Sequence, residues 1–333
     1  MTLNKNISLK EIASETGYSI ATISRVINNQ NNVSDKARTI VTDKLLEHGY
    51  KLDFTKKQDT SKTLVILKPD YSNPFYSEIL KGIEDNATIH GITCLEIKTN
   101  LSEQKTTQYF LNLLSDINVL GIISLSPFKN IKVAHELNQQ HPLVMCSNFF
   151  NDPTLSSVFI DDFQAAYTAT KYLLNLGCRH LLHINSVYNN SYAAARFKGF
   201  KKACLDMKDQ KINYSELRLS SIDFHIALSQ LMHVFKQAEN KYDGVFASSD
   251  VFAAAAIVAA QKRHIKVPEE LAVIGFDDIE LSVIIQPNIT TVQQPRYRIG
   301  FQACEILLEK ALSKKEIEKQ IVLPTQLIIR ETT

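Results

Sequence analysis

Apolar residues recur at spacings of three and four in three short stretches of the first fifty residues, which predicts three amphipathic helices. Ser8, with Glu11 three residues later, can form a capping box on the first helix, and Ser19 and Ser34 can cap the second and third. Gly17 supplies a tight turn between the first two helices. The predicted inward positions are Ile12 and Ala13, then Ile23, Val26 and Ile27, then Ile40, Val41, Leu45 and Leu46. Two short helices joined by a glycine turn have the shape of a helix-turn-helix DNA reader.

From residue 63 onward, short apolar runs alternate with longer stretches of helical periodicity. The predicted strands are 63–67, 94–97, 120–125, 143–146, 180–185, 217–219, 244–247 and 272–276, with an extended segment at 158–160. The predicted helices are 73–91, 103–114, 131–139, 163–176, 193–206, 224–238 and 252–262. Repeated strand–helix order indicates parallel sheets covered by helices on both faces. Two such series in tandem predict two similar lobes, with a ligand cleft beyond the carboxyl ends of the strands.

The polar stretch 51–62 has no apolar period and is predicted to be a linker. The chain then divides into a headpiece at 1–50, this linker, and a two-lobed body at 63–333. Within the body we expect one lobe at about 63–161 with 292–320, and the other at 162–291 with 321–333. A length of 333 residues is enough for two or three domains.

Composition and charge fit this division. The chain is 44% hydrophobic and 22% charged, as in soluble globular proteins. Its net charge is +2, but residues 1–62 carry ten Lys/Arg against seven Asp/Glu, the direction expected of a DNA-binding headpiece. The longest apolar block, 251–260, is too short to span a bilayer, and polar residues at 4–6 interrupt any signal-like run. We expect a cytoplasmic protein whose five cysteines, Cys94, Cys146, Cys178, Cys204 and Cys304, are buried free thiols.

The motifs of common enzyme classes are missing from the sequence. It contains no glycine-rich phosphate loop, no nucleophile elbow and no His-Glu-x-x-His zinc motif. The carboxylate pairs Asp161/Asp162 and Asp277/Asp278 are adjacent residues at strand ends, whose side chains point to opposite sides. Neither pair is therefore expected to form an acid–base dyad. We expect no enzyme activity, no cofactor and no metal.

The run LKEIASETGYSIATISRVINN at 9–29, followed by VS and ending in GY, resembles the headpiece of the LacI/GalR family of bacterial repressors. Segments at 69–76, 158–162, 196–200, 246–253 and 267–278 are similar to landmarks of that family's effector domain. The resemblance implies an all-α helix-turn-helix headpiece and an α/β, two-lobed, periplasmic-binding-protein-like effector and dimerisation domain with parallel sheets. It also implies a homodimeric repressor that binds double-stranded operator DNA under the control of a small ligand.

Within the family, residues 63–70 and 290–300 look closest to the cytidine repressor branch. That branch implies cytidine, or another nucleoside, as the effector that relieves repression, and the cyclic-AMP receptor protein as a second DNA-bound partner. A sugar such as ribose or a galactoside stays open as the effector, and so does a purine. The rival classes are a solute receptor, which the headpiece argues against, and an architectural DNA-binding protein, which does not need a two-lobed body.

The linker departs from the family pattern. Most members carry a short helix there, with a leucine that wedges into the minor groove and kinks the operator. Residues 53–62 read DFTKKQDTSK and contain no such leucine. We expect a flexible tether that tolerates variable half-site spacing, weak intrinsic operator affinity, and a gain from a DNA-bound partner through effective concentration.

In the second helix the resemblance implies that Ile20, Ala21 and Arg25 contact base edges. Arg25 can present a bidentate fork to guanine, a contact worth about 1–3 kcal/mol of discrimination. The alternative for Arg25 is a surface salt bridge to Glu15 or Asp35. The resemblance also implies that the polar residues of the same face contact phosphates, namely Thr22, Ser24 and Asn28, beside the capping Ser19. Such contacts position the helix on the DNA without specifying the sequence.

In the cleft the resemblance implies ligand contacts by Asp277 and Arg196, which together can chelate adjacent hydroxyls of a ribose or hexose. Phe75 and Tyr76 can stack on a flat base or an apolar sugar face, with Phe224 stacking from the other lobe. The alternatives are core packing for the first-lobe aromatics and a cap on the following turn for Asp277. Further candidates for polar contacts are Ser147, Asn148, Asn190, Tyr192, Ser249 and Asp250.

Overall fold

The computed structural model consists of two compact units, residues 1–62 and 63–333. It describes residues 8–27, 33–50, 62–69, 73–99, 114, 117–128, 130–186, 191–207, 211–237, 242–313 and 318–333. Within these ranges no helix is long and apolar enough to cross a membrane. All five cysteines are free thiols, and four of them are buried while Cys94 is half-buried.

The headpiece contains α1 (Leu9–Thr16), α2 (Ile20–Ile27) and α3 (Asp35–Glu47). Its fully buried core is formed by Ile12, Ile23, Val26, Val41 and Leu45. The prediction that Ile40 and Leu46 also face inward is wrong, because these side chains are 39% and 51% exposed. The buried stripe of α3 follows a strict four-residue spacing through residues 37, 41 and 45, which leaves positions 40 and 46 on its flanks.

Local hydrogen bonds set where the headpiece helices begin and end. Ser8 forms the predicted capping box, since its Oγ accepts from the Glu11 N–H at 3.4 Å and Glu11 Oε2 accepts from the Ser8 N–H at 2.7 Å. Gly17 ends α1 with a φ of +73°, a left-handed conformation that a residue without Cβ adopts at little cost. Ser34 Oγ accepts from the Ala37 N–H at 3.3 Å and caps α3.

The body is formed by two lobes. The first contains β1 (Thr63–Lys68), α4 (Phe75–Ile89), β2 (Thr93–Lys98), β3 (Val119–Ser124), α5 (Ile131–Gln140), β4 (Leu143–Cys146), β5 (Ser156–Ile160), α11 (Arg296–Ser313) and β11 (Gln320–Leu323). The second contains α6 (Asp162–Asn175), β6 (His180–Ser186), α7 (Ser191–Asp206), β7 (Asn213–Leu219), α8 (Phe224–Gln237), β8 (Gly244–Ala247), α9 (Asp250–Lys262), β9 (Ala272–Asp277), α10 (Leu281–Ile284), β10 (Thr290–Gln293) and β12 (Gln326–Ile328).

Each lobe has a six-stranded sheet, and the two sheets have the same strand order. The first runs β2-β1-β3-β4-β5-β11, with every pair parallel. The second runs β7-β6-β8-β9-β10-β12, and its pairs are parallel except β10–β12. The predicted fold class, a helical headpiece followed by two similar lobes with mainly parallel sheets, is confirmed.

Differences from the predicted elements have simple causes. Strand β7 begins at Asn213, four residues before the predicted 217, because it is an edge strand whose half-exposed residues do not form an apolar run. The elements from α10 onward carried no predicted bounds. The helix predicted at 103–114 lies outside the described residues except for Leu114, and so does most of the predicted linker.

Within the described residues the chain passes between the lobes three times. It crosses between β5 and α6, between β10 and α11, and between β11 and β12. The second and third crossings therefore fall near 294–295 and 324–325, a few residues after the expected 292 and 321. Short crossings place the residues next to them at the boundary between the lobes, where a cleft is expected in this architecture.

Helices α4 and α11 pack with their backbones in close contact. A Cβ at Gly300 would collide with the carbonyl oxygen of Ile79, and a Cβ at Gly82 would collide with the carbonyl oxygen of Tyr297. Both helices begin beside the cleft, since α4 starts at Phe75 and α11 follows the second crossing.

Candidate functional site

The outer face of α2 is the first candidate site. Ser19, Ile20, Ala21 and Arg25 are exposed, with Ile20 at 43%, while Ile23 and Val26 are fully buried on the opposite side. Of the other predicted residues, Thr22 and Ser24 are half-buried and Asn28 lies outside the described residues. An eight-residue helix thus presents a small, mixed apolar and cationic surface of the size that enters a major groove.

The start of α2 is fixed by its cap. Ser19 Oγ accepts from the Thr22 N–H at 3.1 Å and lies 3.0 Å from Thr22 Oγ1. Glu15, one of the two carboxylates considered for Arg25, instead lies 2.9 Å from His48 Nε2 and 3.6 Å from Lys44 Nζ. Among the described residues Arg25 has no ion pair, so its guanidinium extends from the exposed face of the helix.

The second candidate site is a cleft between the two lobes of the body. It is lined by seven residues from the predicted set, Phe75, Tyr76, Ser147, Asn148, Tyr192, Arg196 and Asp277. Six further lining residues were not predicted as contacts, namely Asn73, Leu125, Pro127, Asp162, Ile222 and Gln294. In the first sheet Leu125 follows β3 and Ser147 follows β4, and in the second sheet Asp277 ends β9 and Gln294 follows β10. The cleft therefore lies beyond the carboxyl ends of both sheets.

Arg196 is the central cation of the cleft. It is 6% exposed; its Nε donates to Asp162 Oδ1 at 2.8 Å and its Nη1 donates to the Ser248 carbonyl at 2.6 Å. Nη1 is also 3.8 Å from Asp277 Oδ1. The guanidinium carbon lies 3.6 Å from the centre of the Phe276 ring, which helps to hold it in one orientation. Burial alone would lower the pKa of Arg196, but the carboxylates of Asp162 and Asp277 outweigh it and raise that pKa.

Asp277 provides the carboxylate on the other side of Arg196. It is 3% exposed, and its Oδ1 accepts from Gln294 Nε2 at 2.8 Å. Burial raises the pKa of Asp277 to about 6, although Arg196 and Gln294 oppose the shift. The next residue, Asp278, turns away and accepts from Arg330 Nη2 at 2.7 Å. The two adjacent carboxylates therefore point in different directions and form no dyad.

The backbone of the cleft is strained at three residues that are not glycine. Ser147 has a φ of +63°, Asp277 of +108° and Asp278 of +54°. Each such conformation costs about 1–3 kcal/mol and persists only where the surroundings enforce it. Strain of this kind concentrates at ligand-binding sites, and two of the three residues line the cleft.

Three of the predicted contacts that the structure describes, Phe224, Ser249 and Asp250, do not line the cleft. Phe224 packs half-buried against the hydrophobic clusters of the body, and Ile222, two residues earlier, lines the cleft in its place. Ser249 is fully buried, where it caps α9 and hydrogen-bonds to Asp277. Asn190 lies outside the described residues.

Asn73, Asp162 and Gln294 are polar cleft residues that were not predicted as contacts. Asp162 had been noted only as half of a carboxylate pair, yet it makes the shortest ion pair of Arg196 while Asp161 caps α6. Gln294 lies at a lobe crossing whose position no local pattern marks. Its buried Oε1 has no hydrogen-bond partner among the described residues, so the cleft offers an unused acceptor.

Comparison with known proteins gives a consistent result for both units. Residues 8–53 match the family described as bacterial regulatory proteins, lacI family, and residues 170–333 match the periplasmic binding protein-like domain. The ribose operon repressor of Halalkalibacterium halodurans is 32% identical over 331 residues, which cover 98% of this chain and 97% of that protein. The transcriptional repressor CytR of Escherichia coli K12 is 30% identical over 336 residues, covering 98% and 96%.

Among solved structures, the Lac repressor dimer bound to operator and the anti-inducer ONPF aligns with a TM-score of 0.73 at 21% identity, covering 98% of this chain and 99% of that one. This likeness shows the fold. The identities of 32% and 30% do not separate a ribose repressor from CytR as a guide to the ligand.

Proposed function

The chain belongs to the LacI family of bacterial regulatory proteins and is a transcriptional repressor with a ligand-binding domain, and from this premise we propose that an uncharged, ribose-bearing ligand controls its operator affinity. Cytidine is the first candidate and D-ribose the second. The repressor acts as a cytoplasmic homodimer in which two copies of α2 bind the half-sites of a pseudo-palindromic operator.

The observation that carries the ligand proposal is the row Asp162–Arg196–Asp277 with Gln294 at its end. Two carboxylates and one amide oxygen accept hydrogen bonds from hydroxyls, and the guanidinium and amide N–H groups donate. Charge-assisted bonds of this kind are about twice as strong as neutral ones. A vicinal diol, which donates and accepts at neighbouring oxygens, satisfies such a row, and a ribose carries one.

The charges of the cleft favour an uncharged ligand. Among the described lining residues, Arg196 is the only cation and it is already paired with Asp162 at 2.8 Å, whereas Asp162 and Asp277 are both acidic. A phosphate group would face these carboxylates at close range and lose its hydration without gaining a free cation. We therefore expect nucleosides and free sugars to bind, and their phosphorylated forms to be rejected.

Cytidine and ribose are each favoured by a different observation. One side of the cleft is apolar and aromatic, formed by Phe75, Tyr76, Leu125, Pro127 and Ile222, and a flat base fits such a surface. The ribose operon repressor, at 32% identity over nearly the whole chain, supports the free sugar. Both ligands place the same diol against Arg196 and Asp277.

Control of operator affinity is an equilibrium coupling. A ligand changes DNA affinity only as far as its own affinity differs between the DNA-competent and DNA-released states. If the nucleoside assignment holds, we expect cytidine to weaken operator binding. The predicted cooperation with the cyclic-AMP receptor protein depends on the linker, which lies outside the described residues apart from Lys62.

A thermal-shift screen identifies the ligand. Binding to the native state adds about 2.7 kcal/mol of stability when the ligand concentration is one hundred times Kd, and the melting temperature rises accordingly. The panel contains cytidine, adenosine, D-ribose, D-galactose, adenine, and the 5′-phosphates of cytidine and ribose. We expect cytidine or ribose to raise the melting temperature and Asp277→Asn to abolish that shift. A shift with galactose or adenine alone would contradict the proposal and leave the repressor assignment intact.

A further inference from the structure

A second buried carboxyl, Asp250, lies beneath the turn that carries Asp277, and the proposed ligand contacts do not use it. Asp250 is the first residue of α9 and is fully buried. Its Oδ2 accepts from the Ile279 N–H at 2.9 Å, and its Oδ1 accepts from Thr291 Oγ1 at 2.6 Å. One side chain therefore links the start of α9, the turn after β9, and strand β10.

Gly275 makes this arrangement possible. It lies in β9, and a Cβ at that position would collide with Asp250 Oδ1. The carboxyl group consequently lies directly against the β9 backbone, two residues before Asp277.

The turn itself needs external support because two successive residues, Asp277 and Asp278, have positive φ angles. Asp278 is held by Arg330 at 2.7 Å and by Gln293 at 2.8 Å, and its carbonyl accepts from Arg296 at 2.8 Å. The Ile279 N–H is held by Asp250. None of these bonds uses the Asp277 carboxylate, which is left to face the cleft.

We infer that Asp250 is a positioning residue for effector binding, which holds the strained turn so that the Asp277 carboxylate stays beside Arg196. This inference rests on the proposed role of Asp277 in ligand binding. Asp250 itself does not line the cleft. Its anchor is Thr291, whose hydroxyl fixes the carboxyl from the strand that leads into the crossing at Gln294.

Thr290 and Thr291 provide a matched pair of test sites. Both are in β10, both are fully buried, and both hydroxyls are hydrogen-bonded. Thr291 Oγ1 donates to Asp250, whereas Thr290 Oγ1 accepts from the Arg330 N–H at 2.8 Å and lies 2.7 Å from Thr333 Oγ1. Replacing either by valine removes a buried hydroxyl, but only Thr291→Val releases Asp250.

The position of Asp277 can be read without a ligand. The charged groups around its carboxylate are Arg196 of α7, Arg296 at the start of α11 and the carboxyl of Asp250. Because burial raises the pKa of Asp277, we expect Asp277→Asn to raise the melting temperature more at pH 7.5 than at pH 4.5. The increment is the rise in melting temperature caused by Asp277→Asn at pH 7.5 minus the rise at pH 4.5. If the turn relaxes and the Asp277 carboxylate reaches water, this increment shrinks.

The experiment measures that increment in full-length protein on the wild-type, Thr290→Val and Thr291→Val backgrounds, together with titrations of cytidine and D-ribose. We expect both valine variants to lower the melting temperature to a similar extent. Only Thr291→Val should reduce the increment by at least half and lower the affinity for the ligand that binds, cytidine or D-ribose, tenfold or more. The single variant Asp250→Asn can still accept from the Ile279 N–H and contact Thr291, so its ligand affinity should stay within threefold of that of the wild type.

Equal increments on the two valine backgrounds would overturn the positioning role. So would tenfold weakening of the ligand by Thr290→Val. If the increment halves as expected while neither cytidine nor ribose binds, the positioning of Asp277 stands and the proposed ligand class fails. The two failures are therefore distinguishable.

Discussion

The helix proposed to contact DNA and the turn that carries Asp277 depend on the fold in different ways. On α2 the candidate contacts project from an ordinary helix whose buried side is simply apolar, and Ile20 and Arg25 are exposed. At the turn, Asp277 is almost fully buried, has a φ of +108° and is held between other charged groups. Substitutions on α2 should therefore change binding without changing stability, whereas substitutions in the cleft should change both.

The largest effect is expected from Arg196→Ala, which leaves the carboxylates of Asp162 and Asp277 buried without their cation. Breaking a buried ion pair in this way costs about 3–5 kcal/mol. Lys202→Ala is a matched control, because Lys202 lies on the same helix and its ion pair with Asp206 is exposed, so its loss costs about 0–1 kcal/mol. Chemical unfolding of the body measures both. A loss below 1 kcal/mol for Arg196→Ala would mean that the cleft charges reach water.

The second largest effect is expected from Asp277→Asn, which should raise stability where Arg196→Ala lowers it. The pKa of Asp277 is raised from 3.8 to about 6, so in the folded state the carboxyl stays protonated until a higher pH than in the unfolded state. Stability is therefore lost as the pH rises from about 4 to 6, by about 3 kcal/mol in total. Asp277→Asn removes this loss, and its advantage over wild type should grow across that interval and then level off. An advantage independent of pH would contradict the burial of this charge.

On α2 we expect Arg25→Ala to weaken binding to an operator selected by the wild-type protein from a random duplex library by about 1–3 kcal/mol. The melting temperature should not change, because the side chain is exposed. Arg25→Lys keeps the charge but loses the planar fork, so it should recover only part of the affinity. Fluorescence anisotropy measures all three proteins. Full recovery by lysine would assign Arg25 to a phosphate rather than to a base.

The smallest effect is expected from Ser8→Ala, which removes the capping box of α1 and costs about 1 kcal/mol. Because residues 1–62 form a compact unit of their own, calorimetry should show a lower melting temperature for the headpiece and an unchanged melting temperature for the body. Ser14→Ala, at an exposed position in the same helix, is the control and should not lower it. A shift of both transitions would show that the units unfold together.

The features that could be predicted from the sequence are those set by local information. The caps at Ser8 and Ser19, the buried face of α2, and the opposite directions of Asp277 and Asp278 follow from periodicity and hydrogen-bonding chemistry within a few residues. The order of strands and helices likewise predicted the two lobes. The cleft position of Arg196 came from family resemblance, and its contacts came only from the structure.

Features that depend on contacts between distant segments of the chain could not be predicted from the sequence. Asp162 pairs with a residue 34 positions away, and Gln294 reaches the cleft because the chain crosses between the lobes at that point. The positive φ angles of Asp277 and Asp278 could not be predicted either, since no glycine marks the turn. Phe224 shows the same limit, because a helix start beside a cleft can point either toward the ligand or toward the core.

The close approach of α4 and α11 at Gly82 and Gly300 has a consequence for how this protein can evolve. Since neither position has room for a side chain, a substitution at either glycine would force the backbones of α4 and α11 apart. Variation that changes ligand preference is therefore expected at cleft residues outside this contact, such as Tyr76 in the first turn of α4 and Pro127 after β3. The two glycines keep the packing of α4 and α11 fixed while cleft residues change, so a different ligand can be accommodated without rebuilding the lobe.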